Sequence, residues 1–136
     1  MPATITKKCQ NVVDFIEKYR DGWVYRERDF SHNTQVSINS DGSFSIRLFS
    51  TKIVEFIKSR NEYVIKNWGR WTRTTAHDIR AYLELLLGYR FDRWDIFTDH
   101  WLKITPEVYE IGYGTGRRWT FNPTNLIFRW DEDGQS

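Results

Sequence analysis

The amino-acid sequence predicts an α+β domain: an antiparallel sheet built from hairpins, with an N-terminal helix and a central helix packed on one face. Three observations lead there. Two segments repeat apolar residues at spacings of three and four. Short β-branched and aromatic runs lie between and after them. Turn residues, Asp41-Gly42 above all, separate those runs.

From Thr4 to Tyr19, Ile5, Cys9, Val12, Val13, Ile16 and Tyr19 form one helical face. Thr4 or Thr6 caps its start and Asp21-Gly22 stops it. Trp23 to Phe30 places charged residues in a period near two, as a half-exposed strand does. Ser31 to Thr34 is a turn. Gln35–Asn39 and Ser43–Phe49 then flank Ser40-Asp41-Gly42, where glycine supplies the positive φ of a tight hairpin. Lys52–Lys58 and Glu62–Trp68 make a second hairpin around Ser59-Arg60-Asn61. Thr72 or Thr74 caps a helix carrying Ile79, Tyr82, Leu83, Leu86 and Leu87 on one face, and Gly88 ends it. For residues 89 to 104, Trp94, Phe97, Trp101 and Ile104 keep helical spacing, so a short helix is expected there, although the composition also suits a strand. Val108–Tyr113, Arg117–Phe121 and Asn125–Trp130 are expected as closing strands, with Gly112, Gly114 and Gly116 in one turn and Asn122-Pro123 in the next.

The 136 residues suit one domain, taken as 1–130, followed by an acidic flexible tail at 131–136. No apolar run approaches the ~20 residues of a membrane helix, and the N-terminus lacks the layout of a secretory signal. A soluble protein of a reducing cytosol is therefore expected. The single cysteine, Cys9, excludes an internal disulfide framework and a multi-thiolate zinc site, and its place on an apolar helix face assigns it to the core. Net charge is +2, and setting aside Asp131, Glu132 and Asp133 leaves residues 1–130 at +5. Lys58, Arg60, Lys66, Arg70, Arg73 and Arg80 stand against Glu62 and Asp78, a local excess of +4. Arg outnumbers Lys 13 to 7 among abundant Trp and Tyr, the composition of surfaces that bind proteins or single-stranded nucleic acid.

That basic stretch holds the candidate binding residues: Lys66, Trp68, Arg70, Trp71, Arg73, Thr74, Thr75, His77 and Arg80. Gly69 frees the backbone ahead of a threonine-rich helix start, whose N–H groups and arginines suit a phosphate or carboxylate. The same threonines also serve as plain caps. No catalytic constellation is assigned. His77 and Asp78 are neighbours on a helix and point about 100° apart, so they form no orienting pair. Asp95 and Asp99 share a helical face but read as solvated charge beside buried aromatics, and no metal or cofactor is expected. Gly112 to Arg118 lacks the Lys-Ser/Thr ending of a P-loop and reads as a glycine-rich hairpin turn.

Ser50-Thr51-x-Ile53, then a strand, then Trp71-x-x-Thr74-Thr75-x-His77-x-Ile79 resembles a short domain of unknown function found in accessory proteins of tailed bacteriophages. There an extended S/Y-x-T-x-I-A segment is followed by a strand and a W/Y-S-x-T-T-x-x-H-I helix start. The likeness spans residues 45–83, with Arg73 where that family has a small residue. It implies phage origin, an α+β fold and a host-facing or DNA-metabolic accessory role.

Three function classes follow. The first is a non-enzymatic phage or mobile-element protein that binds a host protein in the host cytoplasm, as inhibitors of CRISPR and other defence systems do, with Trp68, Arg70, Trp71 and Arg73 as anchors. The second is nucleic-acid binding through residues 58–80, with Trp71 or Tyr63 stacking on bases. The third and weakest is a small hydrolase or nuclease using His77.

Overall fold

The computed structural model describes residues 5–65, 73–88, 90–91, 100–105, 109–113, 117–121 and 127–128. Helix α1 spans Lys7–Tyr19. Of the two candidate caps Thr6 does the work: its hydroxyl accepts the Cys9 N–H at 3.2 Å, and the Arg20 N–H closes the other end on the Ile16 carbonyl at 2.9 Å. Five strands follow, β1 (Arg26–Asp29), β2 (Thr34–Ile38), β3 (Phe44–Leu48), β4 (Thr51–Ile57) and β5 (Glu62–Ile65). Helix α2 (Arg73–Leu87) ends at Gly88, whose φ of 73° and N–H bond to the Glu84 carbonyl at 2.9 Å make the expected glycine cap. Then come β6 (Arg90–Phe91), β7 (His100–Ile104), β8 (Tyr109–Tyr113), β9 (Arg117–Phe121) and β10 (Ile127–Phe128).

Eight strands form one antiparallel sheet in the order β1-β2-β3-β4-β5-β7-β8-β9, a meander interrupted once, where α2 and β6 separate β5 from β7. Register explains which face is buried. Ile38, Phe44, Phe56, Tyr63 and Ile104 are successive partners across five strands, and Val36, Ile46 and Val54 across three. All eight are buried, and they share one core with Cys9, Val12, Val13 and Ile16 of α1 and Ala76, Ile79, Tyr82 and Leu83 of α2. Both helices therefore lie on one face of the sheet, as expected. Each large apolar side chain hidden this way contributes about 1.5–3 kcal/mol.

The two helices are joined by a polar contact at the edge of this core. Lys8 Nζ lies 2.9 Å from Asp78 Oδ2, and the Cys9 thiol donates to Asp78 Oδ1 at 3.7 Å. Burial, more than any neighbour, pushes the Cys9 thiol and the Tyr82 phenol above their ordinary values. At the other end of α1, the Arg20 guanidinium sits 4.7 Å from the Phe56 ring and 5.1 Å from the Phe44 ring, covering a cluster completed by Tyr63. The β2–β3 hairpin closes against the same point. Asn39 N–H donates to the Ser43 carbonyl at 2.7 Å, and Gly42, at φ 95°, faces the Arg20 carbonyl so closely that a Cβ would stand 2.9 Å from it.

Several expectations change. His100–Ile104 is a strand, not the end of a short helix. Leu102 and Ile104 alternate into the core while pairing with β5 on one side and β8 on the other, and two ladders outweigh a helical spacing that needs no partner. Residues 92–99, with Asp95 and Asp99, lie outside the described residues. Trp23 to Tyr25 lie outside β1, which starts only at Arg26. Strand β10 pairs in parallel with β6 as a separate small sheet and does not close the main one. Strands β8 and β9 pair antiparallel with Tyr113 facing Arg117, so Gly112 lies in β8 opposite Arg118 and not in the turn, while residues 114–116 lie outside the described residues. The tail at 131–136 is outside the described residues.

Candidate functional site

The predicted binding stretch is only partly described, and what is described does not form an open basic face. Lys66, Trp68, Arg70 and Trp71 lie outside the described residues. Arg73 and Thr74 are the first two residues of α2, so Thr74 lies within the helix and is not its cap. Thr75 and Arg80 are each only 4% exposed, which removes them from any docking surface. His77 is half-buried on the helix, and its neighbour Asp78 turns to Lys8 instead. Lys58 and Arg60 are exposed, with Arg60 Nε 3.7 Å from Glu62 Oε1. Among the described residues no cluster of His, Cys, Asp and Glu has the layout of a metal site, and Cys9 is fully buried.

Exposed aromatic residues lie elsewhere: Phe49, 69% exposed at a φ of 56° between β3 and β4, and a contiguous strip at the entry to β1. Gly22 N–H bonds back to the Tyr19 carbonyl at 3.1 Å, and the chain leaves α1 through Trp23 at a φ of 60°. Trp23, Val24 and Tyr25 are 77%, 53% and 55% exposed, three consecutive apolar residues facing solvent. They run straight into β1, the outermost strand of the sheet, whose four side chains are all exposed.

Neighbouring side chains hold this edge in place on both faces. On the helix face, the Arg26 guanidinium lies 4.1 Å over the Tyr19 ring and that of Arg28 lies 4.8 Å over Phe30. On the opposite face, Tyr25 Oη donates to Glu27 Oε2 at 2.6 Å, and Gln35 Nε2 donates to Glu27 Oε1 at 3.2 Å and Asp29 Oδ1 at 3.1 Å. Beside Tyr25 on that face opens a depression of about 300 Å³ over Ser37 and Ser45, walled by Arg47, Lys52 and Glu55. Ser37 Oγ is buried at its floor with no hydrogen-bond partner among the described residues.

Counting basic residues and tryptophans along the chain did not find this site. A usable signal was present: Arg26-Glu27-Arg28-Asp29 has no apolar side in a period of two, and a strand without an apolar side belongs at an edge. No protein-family model, curated protein or solved structure matches the chain at a significant level. Among the described residues no helix is long and apolar enough to cross a membrane.

Proposed function

We propose that this chain is a non-enzymatic binding protein that holds a partner protein on the Trp23–Tyr25 strip. One observation carries the reading: Trp23 is 77% exposed and has a φ of 60°. A bulky L-residue in the left-handed region costs about 1–2 kcal/mol, and an exposed ring recovers little of it by burial. Folding alone would favour glycine here. Tryptophan and tyrosine are the residues that anchor protein interfaces, so the strain at Trp23 serves recognition and not the fold.

The Ser50 to Ile53 and Trp71 to Ile79 motifs support placing the protein among phage or mobile-element accessory proteins. On that basis the partner is a host protein met in the host cytoplasm, such as a component of a CRISPR or other defence system. No described observation favours nucleic acid over protein, since Arg80 is buried and Arg60 is next to Glu62.

The test is capture from host lysate, then measurement of Kd for the recovered partner with wild type and Trp23→Gly. The expected result is a loss of at least about tenfold in affinity, with a Tm equal to or above wild type. No partner, or a partner bound equally by both proteins, would refute the proposal.

A further inference from the structure

The geometry points to the outer edge of β1, unpaired among the described residues, as the place where an extended segment of the partner, with acidic and basic residues in alternation, adds as a ninth strand. This rests on the binding-protein reading and specifies how the partner is gripped. The Phe30 N–H donates to the Thr34 carbonyl at 2.8 Å, which makes these two a hydrogen-bonded pair. Alternation in an antiparallel ladder makes Arg28/Val36 and Arg26/Ile38 pairs of the same kind. The N–H and C=O groups of Glu27 and Asp29 consequently point away from β2, toward solvent.

Side chains fix which strand fits. Arg26 and Arg28 stand on one face of the edge and Glu27 and Asp29 on the other. An incoming strand satisfies all four only by alternating acid and base. A second copy does not fit: in a two-fold antiparallel pairing, facing residues share a face of the sheet, so Arg meets Arg and acid meets acid. Trp23 and Val24 give the segment an apolar contact beside the edge.

Amide hydrogen exchange by NMR tests this with two synthetic peptides of identical composition. One has the central order Glu-Lys-Glu-Lys between leucines and the other Glu-Glu-Lys-Lys. In the free protein the Arg28 and Phe30 amides are expected to be protected and those of Glu27 and Asp29 to exchange freely. The alternating peptide should protect Glu27 and Asp29 and bind about tenfold more tightly than the clustered one. Glu27→Pro, which removes only an outward N–H from the ladder, should abolish that protection, whereas Glu27→Gln should weaken it.

Equal binding of both peptides, or none, would show an edge whose charges are merely protective and would overturn the proposal. So would protection of Glu27 and Asp29 that appears without peptide as protein concentration rises. Partner capture that needs Trp23 but survives Glu27→Pro leaves the binding reading standing and removes this one.

Discussion

Replacing Gly42 with alanine tests the junction where the β2–β3 hairpin meets the end of α1. Two effects oppose the substitution. Gly42 has a φ of 95°, beyond the left-handed well that L-residues tolerate best, and holding alanine there costs about 1–3 kcal/mol. The new Cβ would also stand 2.9 Å from the Arg20 carbonyl oxygen, a backbone atom that no rotamer change can move aside. Against these, alanine restricts the unfolded chain and returns about 0.4–1 kcal/mol. The net expectation is a loss of about 2 kcal/mol, or roughly 5–8 °C in Tm for a domain of this size.

Gly88→Ala provides the control, because Gly88 has a φ of 73° but nothing within 4 Å of its Cβ position. It should lose about 1 kcal/mol from backbone strain alone. Urea denaturation followed by tryptophan fluorescence would measure both, and unchanged m-values would show that the comparison concerns stability. Equal losses at the two sites would refute the close approach of hairpin and helix. A stabilised Gly42→Ala would refute the turn geometry as well.

Four further outcomes are expected. Cys9 and Tyr82 are acids whose protonated forms are favoured by folding, so the stability they contribute is complete below their ordinary values of 9.0 and 10.0 and is lost as pH rises beyond them. Urea midpoints should therefore fall above pH 9.0, and a Cys9→Ala, Tyr82→Phe double variant should flatten that fall. The Cys9 thiol should resist an aromatic disulfide reagent in native buffer and react only in denaturant; immediate labelling would contradict its burial. Asp78→Ala should cost about 1 kcal/mol, and a double-mutant cycle with Lys8→Met should recover a coupling of about 0.5 kcal/mol or more, with zero coupling ruling out the 2.9 Å pair. Arg20→Ala should cost about 1.5–2 kcal/mol in urea melts, and Arg20→Lys should recover less than half, since an ammonium lacks the broad planar group that lies close to both rings.

Much of the fold was legible because its signals are local. The stripe of α1, the Asp41-Gly42 turn and the Gly88 stop each rest on a few neighbouring residues, and all three appear where expected. Segments whose state depends on distant partners were misread. Residues 100–104 carry apolar residues compatible with either period, and only the ladders to β5 and β8 decide for a strand. Exposure is the least local property of all. Arg80 counted toward a basic surface yet is buried in α2, while Trp23, an ordinary strand residue by composition, is the most exposed large apolar residue among those described.

A sheet edge prepared for a partner differs from one that is merely protected. Protection requires only charge, and mobile lysines provide it at small cost. On β1 the four charged side chains instead each have a partner: the two arginines lie over Tyr19 and Phe30, and the two acids accept bonds from Gln35, with Tyr25 adding a second bond to Glu27. Immobilising a long side chain on binding costs about 0.5–1.5 kcal/mol, so an edge with four already partnered spares an incoming strand roughly 2–6 kcal/mol. Repulsion alone gives no reason for that order. Together with a strained, exposed tryptophan at its entrance, the ordered edge is explained better by a strand it receives than by one it turns away.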